Sequence, residues 1–215
     1  MLRTLFVFLF LFCAGCTPSD VLDSPAASPA ENPAADDATE PLDVDLDFDS
    51  SPPVMPLTNI TWDDCSSEEG DHPCNILTVD HEGNGFSLYA FYGQPIVLDF
   101  STMWCGPCNA AAAHAQEVQD LYVDDDLIYI TVLIENLDRD PPTNVDIQQW
   151  IDHFGLTTSP VIAGDRSWLQ SGGGSWALSG WPTFYYIDRE MVLRDIDRGY
   201  NANEVIYSID WLLSL

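Results

Sequence analysis

The sequence predicts an α/β fold, in which helices flank a central β-sheet. Two observations support this prediction. Short apolar, β-branched runs alternate with segments of helical apolar spacing, and a strand–turn–strand pattern followed by a helix closes the chain. We therefore expect one sheet with helices on both faces.

The first half of the domain is organised around a buried strand and the helix that follows it. Residues 76–80 and 86–90 are short strand candidates on either side of a turn containing Gly and Asn. The β-branched, apolar run 96–100 predicts a buried strand. A run of alanines indicates a helix over 105–122, and a strongly apolar strand is expected at 127–134.

The second half continues this alternation and then ends in a hairpin. A helical pattern over 146–154 stops at a glycine, and residues 160–163 form a short apolar strand. Strands at 183–187 and 191–196 flank a polar turn, which predicts a hairpin. Residues 203–213 have apolar side chains at helical spacing and form the last helix.

The chain is strongly acidic. It has 35 Asp and Glu against six basic residues, all arginine, so its formal net charge is −29. This balance argues against nucleic-acid binding, because phosphate contacts depend on Lys and Arg, and against docking on anionic lipid head groups. A highly solvated surface and adaptation to a saline habitat both account for the charge.

The N-terminus has the pattern of an export signal. An arginine precedes the apolar run 5–12, which is too short for a transmembrane helix, and small residues follow. The segment ending at Cys16 resembles a bacterial lipobox, although Cys13 occupies the position where leucine is usual. We expect residues 1–15 to be a signal peptide and Cys16 to be lipidated, which places the protein on a periplasm-facing bacterial membrane. Secretion after cleavage near Gly15 is the alternative.

Three segments follow the signal. Residues 16–56 are rich in Pro, Ala and Asp and contain no basic residue, which predicts an extended linker. Residues 57–75 form an extension that contains Cys65 and Cys74, and residues 76–215 form the folded domain. In an oxidising compartment we expect Cys65 and Cys74 to form a structural disulfide. A second redox-active pair is the alternative.

Cys105 and Cys108 form the motif that says most about function. This Cys-x-x-Cys lies directly after an apolar strand and opens a helix, which is a redox arrangement. Free backbone N–H groups and the macrodipole at a helix N-terminus favour a thiolate on Cys105. Cys108 lies one turn further along, so we expect Cys105 to be the attacking thiol and Cys108 the resolving thiol. Pro107 is tolerated in the first turn of the helix.

Metal binding is the competing interpretation of this pair. A structural zinc site needs four ligands, and neither the spacing of Cys65 and Cys74 nor the positions of His114 and His153 supplies a second ligand pair. We therefore expect no metal and no cofactor. A redox-inactive or copper-handling binding module is the alternative function, because soft thiolates bind Cu(I).

The motif Trp-Cys-Gly-Pro-Cys at 104–108, directly after Val-Leu-Asp-Phe, is similar to the active site of thioredoxins. Residues 180–184 resemble the cis-proline loop of that family. Residues 85–88 and 141–164 resemble features of its membrane-anchored TlpA/ResA group. The resemblance covers residues 76–215. It implies a thioredoxin fold with a mixed sheet and a TlpA-like insertion, and a thiol–disulfide oxidoreductase activity.

The resemblance also implies roles for individual residues. Asp99 corresponds to the buried carboxylate of thioredoxins, whose raised pKa allows it to take the proton of Cys108 during resolution. Pro182, if its peptide bond is cis, faces the dithiol and binds the backbone of an extended substrate. The other substrate-binding residues implied are Trp104, Gly106, Pro107 and Trp181.

Three features decide how closely the site follows the family pattern. Thioredoxins pair the buried Asp with a lysine, and this chain has no lysine. Trp181 replaces the small or β-branched residue that usually precedes the cis-proline. TlpA/ResA proteins often carry a glutamate after the next strand, and Glu135 lies near that position. We therefore expect the surroundings of the dithiol to differ from those of thioredoxins.

The predicted function is the reduction of disulfides in exported proteins, with electrons supplied by an unidentified membrane donor. Gly106 and Pro107 between the cysteines are typical of the reducing members of the family. A peroxidase is a further alternative. Thr102 stands three residues before Cys105, as in peroxiredoxins, but Leu98 occupies the position of that motif's proline.

Overall fold

The computed structural model describes Trp62 and residues 64–215. The predicted signal peptide, the lipidated Cys16 and the linker lie outside the described residues. In the described part of the chain the strands are β1 Leu77–Val79, β2 Gly85–Ser87, β3 Ile96–Thr102, β4 Ile128–Glu135, β5 Val161–Ala163, β6 Thr183–Ile187 and β7 Leu193–Arg198. The α-helices are α1 Gly106–Leu121, α2 Asn144–Phe154 and α3 Ala202–Leu213.

The main sheet is mixed and has β3 at its centre. Its strand order is β5-β4-β3-β6-β7, with β3 parallel to β4 and antiparallel to β6. All seven residues of β3 are buried, as expected for an apolar strand with neighbours on both sides. The strands β1 and β2 form a separate antiparallel pair. The predicted α/β fold with a mixed sheet is confirmed.

The two faces of the sheet are covered in different ways, which corrects the expectation of helices on both. One core cluster joins buried residues of α1, α2 and α3 to alternate residues of β3, β4 and β6. The opposite face packs against the segment before β3 and against residues 164–178. The latter segment contains short 3-10 turns at Arg166–Trp168 and Gln170–Gly172. Its Gly and Ser content and lack of apolar periodicity explain why no α-helix forms there.

Three of the differences between predicted and observed element boundaries have clear local causes. Helix α2 begins earlier, at Asn144, because Thr143 and Asp146 form a reciprocal capping box. The predicted strand 86–90 is interrupted after Ser87 by a 3-10 turn at Leu88–Phe91, which turns Leu88 into the core. Strand β7 starts at Leu193 because Met191, with φ of 58°, belongs to the hairpin turn.

The N-terminal extension is attached to the domain by backbone hydrogen bonds. Gly70 N donates to Leu193 O at 2.7 Å, and Leu193 N donates to Asp71 O at 2.9 Å. His72 Nδ1 lies 2.7 Å from Met191 O, and Trp62 stacks on the His72 ring at 4.0 Å between centroids. Among the residues that the structure describes, no helix is both long and apolar enough to cross a membrane.

Candidate active site

Cys105 lies at the N-cap of α1, where β3 has just ended. Its backbone is extended, with φ of −86° and ψ of 118°, and its Sγ accepts a hydrogen bond from Cys108 N at 3.3 Å. The structure joins Cys105 and Cys108 by a disulfide with a Cα–Cα distance of 5.2 Å. The hydrogen bond and the helix dipole both favour negative charge on Cys105 Sγ once the disulfide is reduced.

Asn109 fixes the backbone of this turn, and the sequence analysis missed it. Its Nδ2 donates to Met103 O at 3.0 Å and to Cys105 O at 2.7 Å. The same side chain therefore holds the backbone before the attacking cysteine and at that cysteine. An amide side chain four residues after Cys105, in the first turn of a helix, is a signal that could have been read from the sequence.

The two cysteines differ in their access to solvent. Cys105 is 5% exposed and Cys108 is fully buried in the cluster under α1. Gly106 and Pro107, which lie between them, are exposed. A partner molecule can therefore approach over these two residues and reach Cys105 before Cys108.

Asp99 is a fully buried carboxylate on the same face of the sheet as the dithiol. Alternate residues of β3 share a face, and Val97 packs in the cluster that contains Cys105 and Cys108. Burial raises the pKa of Asp99 from 3.8 to about 7, although hydrogen bonds from Ser101 and Tyr129 oppose the rise. A carboxyl group with this pKa exchanges protons near neutral pH.

Hydroxyl groups surround Asp99 in place of the lysine found in thioredoxins. Ser101 Oγ donates to Asp99 Oδ1 at 2.7 Å, and Tyr129 OH donates to Oδ2 at 3.3 Å. Ser101 could have been expected, because it lies two residues along the same strand. Tyr129 could not, because it comes from β4 and its position depends on the register of the parallel pair.

The Trp181–Pro182 peptide bond is cis. Thr183, the first residue of β6, pairs with Phe100 near the end of β3, so Pro182 leaves the sheet at the end from which the Cys105 turn emerges. Thr183 Oγ1 donates to Gly180 O at 2.9 Å and Gly199 N donates to Pro182 O at 2.8 Å, and both bonds hold the loop. Trp181 is half-buried and packs against both core clusters.

Trp104, directly before the attacking cysteine, contacts two charged residues, Glu135 and Arg139. Its Nε1 donates to Glu135 Oε2 at 2.8 Å, and Arg166 pairs with the other carboxylate oxygen. The Arg139 guanidinium carbon lies 4.2 Å from the centre of the indole ring. The sequence analysis noted Glu135 but gave it no role, and it missed both arginines.

Cys65 and Cys74 also form a disulfide, with a Cα–Cα distance of 4.8 Å. Cys65 is exposed and Cys74 is half-buried, and no helix begins at either residue. Among the residues that the structure describes, no group of three or more His, Cys, Asp and Glu is placed to hold a metal ion.

The chain is similar in sequence to known thiol–disulfide oxidoreductases. No protein-family model matches the chain. The thioredoxin-like protein YneN of Bacillus subtilis is 23% identical over 132 residues, which cover 61% of this chain and 72% of YneN. The thiol-disulfide oxidoreductase ResA of Bacillus thuringiensis is 23% identical over 121 residues, or 56% of this chain and 64% of ResA. The chain thus spans less than two thirds of that relative.

The solved structures agree at the level of the fold. A putative thiol:disulfide interchange protein DsbE from Chlorobium tepidum superposes with a TM-score of 0.56 at 20% identity. The superposition covers 69% of this chain and 99% of that protein. The chain is therefore similar in sequence to ResA-like thiol–disulfide oxidoreductases, and its fold is that of thioredoxin-like proteins. These similarities give the enzyme class, thiol–disulfide oxidoreductase.

Proposed function

We propose that the chain reduces disulfides in exported proteins through Cys105 and Cys108. The observation that carries this proposal is the position of Cys105. Its sulfur lies at the N-terminus of α1, accepts a hydrogen bond from Cys108 N and is within bonding distance of the Cys108 sulfur. This geometry suits a thiolate nucleophile with a resolving thiol beside it.

The exchange proceeds in two displacements. The Cys105 thiolate attacks one sulfur of the client disulfide, whose S–S bond breaks as a mixed disulfide forms and the first client thiolate leaves. The Cys108 thiolate then attacks Cys105 Sγ and releases the second client thiolate. Two electrons pass to the client, and the chain is left with the Cys105–Cys108 disulfide.

Asp99 takes the proton of Cys108 before the second displacement. Cys108 is fully buried, so its thiol has no direct access to water and its thiolate needs a nearby base. The pKa of Asp99, raised by burial to about 7, matches this task at neutral pH. The base is ionised above this pKa and protonated below it, so resolution is expected to slow as the pH falls below about 7.

The client backbone lies over Gly106 and Pro107, which are the exposed residues of the turn. We assign the remaining client contacts to Trp104, Trp181 and the cis Pro182. They are supported in this role by their position at the end of the sheet where β3 ends and β6 begins.

Export and membrane attachment complete the proposal. The apolar run 5–12 and the small residues before Cys16 support removal of a signal peptide and lipidation of Cys16. The acidic linker 16–56 would then hold the domain away from the periplasm-facing membrane surface. A membrane-bound reductant would restore the Cys105 and Cys108 thiols after each turnover.

Measurement of the reduction potential tests the function directly. The purified chain is equilibrated with defined thiol–disulfide buffers, with Cys105→Ser as control. A Cys105-dependent two-electron couple near or below about −250 mV supports a reductant, whereas a couple at about −120 to −180 mV indicates an oxidant or isomerase. Absence of any couple that depends on Cys105 would contradict the proposal and favour a binding module.

A further inference from the structure

We propose that Glu135 is a positioning residue for thiol–disulfide exchange, which fixes the Trp104 indole beside Cys105 so that a polypeptide client is received in one orientation. The inference rests on the proposed function, because it concerns how the same dithiol meets its client. Glu135 does not touch the reacting sulfurs and acts through Trp104.

Glu135 contacts both residues that precede Cys105. Its backbone O accepts a hydrogen bond from Met103 N at 2.9 Å, and its Oε2 accepts one from Trp104 Nε1 at 2.8 Å. The side chain of Glu135 is only 2% exposed, at the end of β4. A single residue on a rigid strand therefore holds the backbone and the indole next to the nucleophile.

Burial of a carboxylate at this position costs free energy, which indicates a role beyond packing. Burial of an ionised group is unfavourable unless it is paired and hydrogen-bonded. Burial raises the pKa of Glu135, but hydrogen bonds from Arg166 and Trp104 outweigh it, so the pKa lies below its ordinary value. Glu135 is therefore ionised at neutral pH. A charged acceptor binds the indole N–H more strongly than a neutral one does.

Two loops bring arginines to the Glu135–Trp104 pair, one against the indole and one against the carboxylate. Arg166 lies in a turn that is closed by glycines, since a Cβ on Gly172 would come within 2.2 Å of Arg166 O. Arg139 has a φ of 69° in a turn whose backbone N–H groups donate to the Asn136 side chain. Five arginines lie in the described part of this acidic chain, and two of them contact the Glu135–Trp104 pair.

The consequence of a fixed ring depends on the size of the disulfide. Trp104 is half-buried and directly precedes Cys105 in the chain. A polypeptide whose cysteine reaches Cys105 would pass over this ring, so an immobile ring lowers the cost of ordering the complex. A small disulfide reaches the sulfur without that contact. Glu135 should therefore affect polypeptide clients selectively.

The test compares two substrates across matched variants of the full chain. One substrate is a short unstructured peptide with a single intramolecular disulfide, and the other is bis(2-hydroxyethyl) disulfide. We expect Glu135→Ala to slow reduction of the peptide about tenfold, within the limit of about a hundredfold that misplacement of a positioning group can cost. The same variant should leave the small disulfide within about twofold of the parent. Glu135→Gln keeps an acceptor for Trp104 but loses the ion pair. Its rate of peptide reduction should therefore lie between those of the parent and Glu135→Ala.

A double-mutant cycle shows whether Glu135 acts through Trp104. If it does, Trp104→Phe combined with Glu135→Ala is no slower on the peptide than the slower single variant, because both remove the same contact. Glu190→Gln is the control for loss of charge, since it also removes one negative charge but at an exposed position in the hairpin turn at the opposite end of the sheet. It should change neither rate.

Three results would overturn the inference: unchanged peptide reduction in Glu135→Ala, equal slowing of both substrates, or effects that multiply in the double variant. If Glu135→Ala does not fold, Glu135→Gln and Arg166→Gln decide the question by the same comparison of substrates. Failure of the proposed function gives a different result, namely no Cys105-dependent reduction of either substrate by the parent chain.

Discussion

The two disulfides of the domain are chemically the same bond in different surroundings. Cys65–Cys74 closes a surface loop with one exposed cysteine, and neighbouring hydrogen bonds tie that loop to the start of β7. Cys105–Cys108 lies at the N-terminus of α1, over a sheet face that carries a buried carboxylate. The comparison indicates that helix position and a proton acceptor, and not the cysteine pair alone, make a dithiol suitable for exchange.

The division of roles between the pairs remains a proposal, and the largest expected effect tests it. Cys105→Ser removes the nucleophile, so we expect disulfide reduction to fall by about a thousandfold or more. Peptide-disulfide reduction followed by thiol release is the measurement. The comparison between the pairs fails if the variant retains activity that disappears only when Cys65 and Cys74 are also replaced.

Asp99→Asn removes the buried carboxylate that we propose as the proton acceptor of Cys108. We expect resolution to slow at least about tenfold, so that a mixed disulfide between Cys105 and the peptide accumulates. Trapping of this species with acid, followed by mass spectrometry, measures the effect. Resolution as fast as in the parent chain at every pH would show that Cys108 loses its proton by another route.

Asp99→Asn should also stabilise the folded, oxidised protein against unfolding. The pKa of Asp99 is raised in the folded state, from 3.8 to about 7. Its contribution to stability is therefore complete below the unfolded pKa and is lost as the pH rises through the folded pKa. At about 1.4 kcal/mol per pKa unit the loss approaches ~4 kcal/mol at pH 8. In urea unfolding at pH 8, Asp99→Asn should be more stable than the parent chain. The difference in free energy of unfolding should shrink towards pH 4.

Replacement of both Cys65 and Cys74 by serine tests whether their disulfide is structural. The bond joins residues nine positions apart, and its loss should lower the free energy of unfolding by about 2–3 kcal/mol through the entropy of the unfolded chain. Peptide reduction should stay within about threefold of the parent, because Cys105 and Asp99 are intact. A collapse of activity in a variant that remains folded would instead favour an electron relay between the pairs.

The smallest expected effect concerns the hydroxyls around Asp99. Tyr129→Phe removes a hydrogen bond that lowers the pKa of Asp99, so this pKa should rise further above its ordinary value. The pH at which resolution reaches half its maximal rate should increase by about half a unit to one unit. A pH–rate profile of mixed-disulfide decay measures the shift, with Tyr207→Phe on the exposed face of α3 as the control.

Much of the fold was predictable because its signals are local. The apolar strand before Cys105, the alanine-rich helix after it and the closing hairpin each have a pattern within a single segment. The covering of the second sheet face was not predictable in this way. Residues 164–178 have no periodicity, and their shape depends on close approaches such as Gly174 against the Trp168 backbone.

The candidate site shows the same difference between local signals and contacts from distant segments. Spacing alone indicates the dithiol and its helix, and a buried carboxylate at Asp99 follows from the resemblance to thioredoxins. The partners of these groups come from distant segments: Tyr129 reaches Asp99 through strand register, and Arg166 reaches Glu135 across 31 positions of the chain. Such contacts depend on tertiary geometry, which the pattern of a single sequence does not contain.

The central position of β3 has a consequence for the integrity of the thiols. A strand that is buried throughout and paired on both sides is among the last segments to open, so its amides should exchange most slowly with solvent deuterium. The turn of Cys105 is attached directly to this slowest-opening segment. Brief local openings of the N-terminal extension should therefore expose Cys65 and Cys74 without releasing Cys105, which protects the domain from scrambled pairing among its four described cysteines.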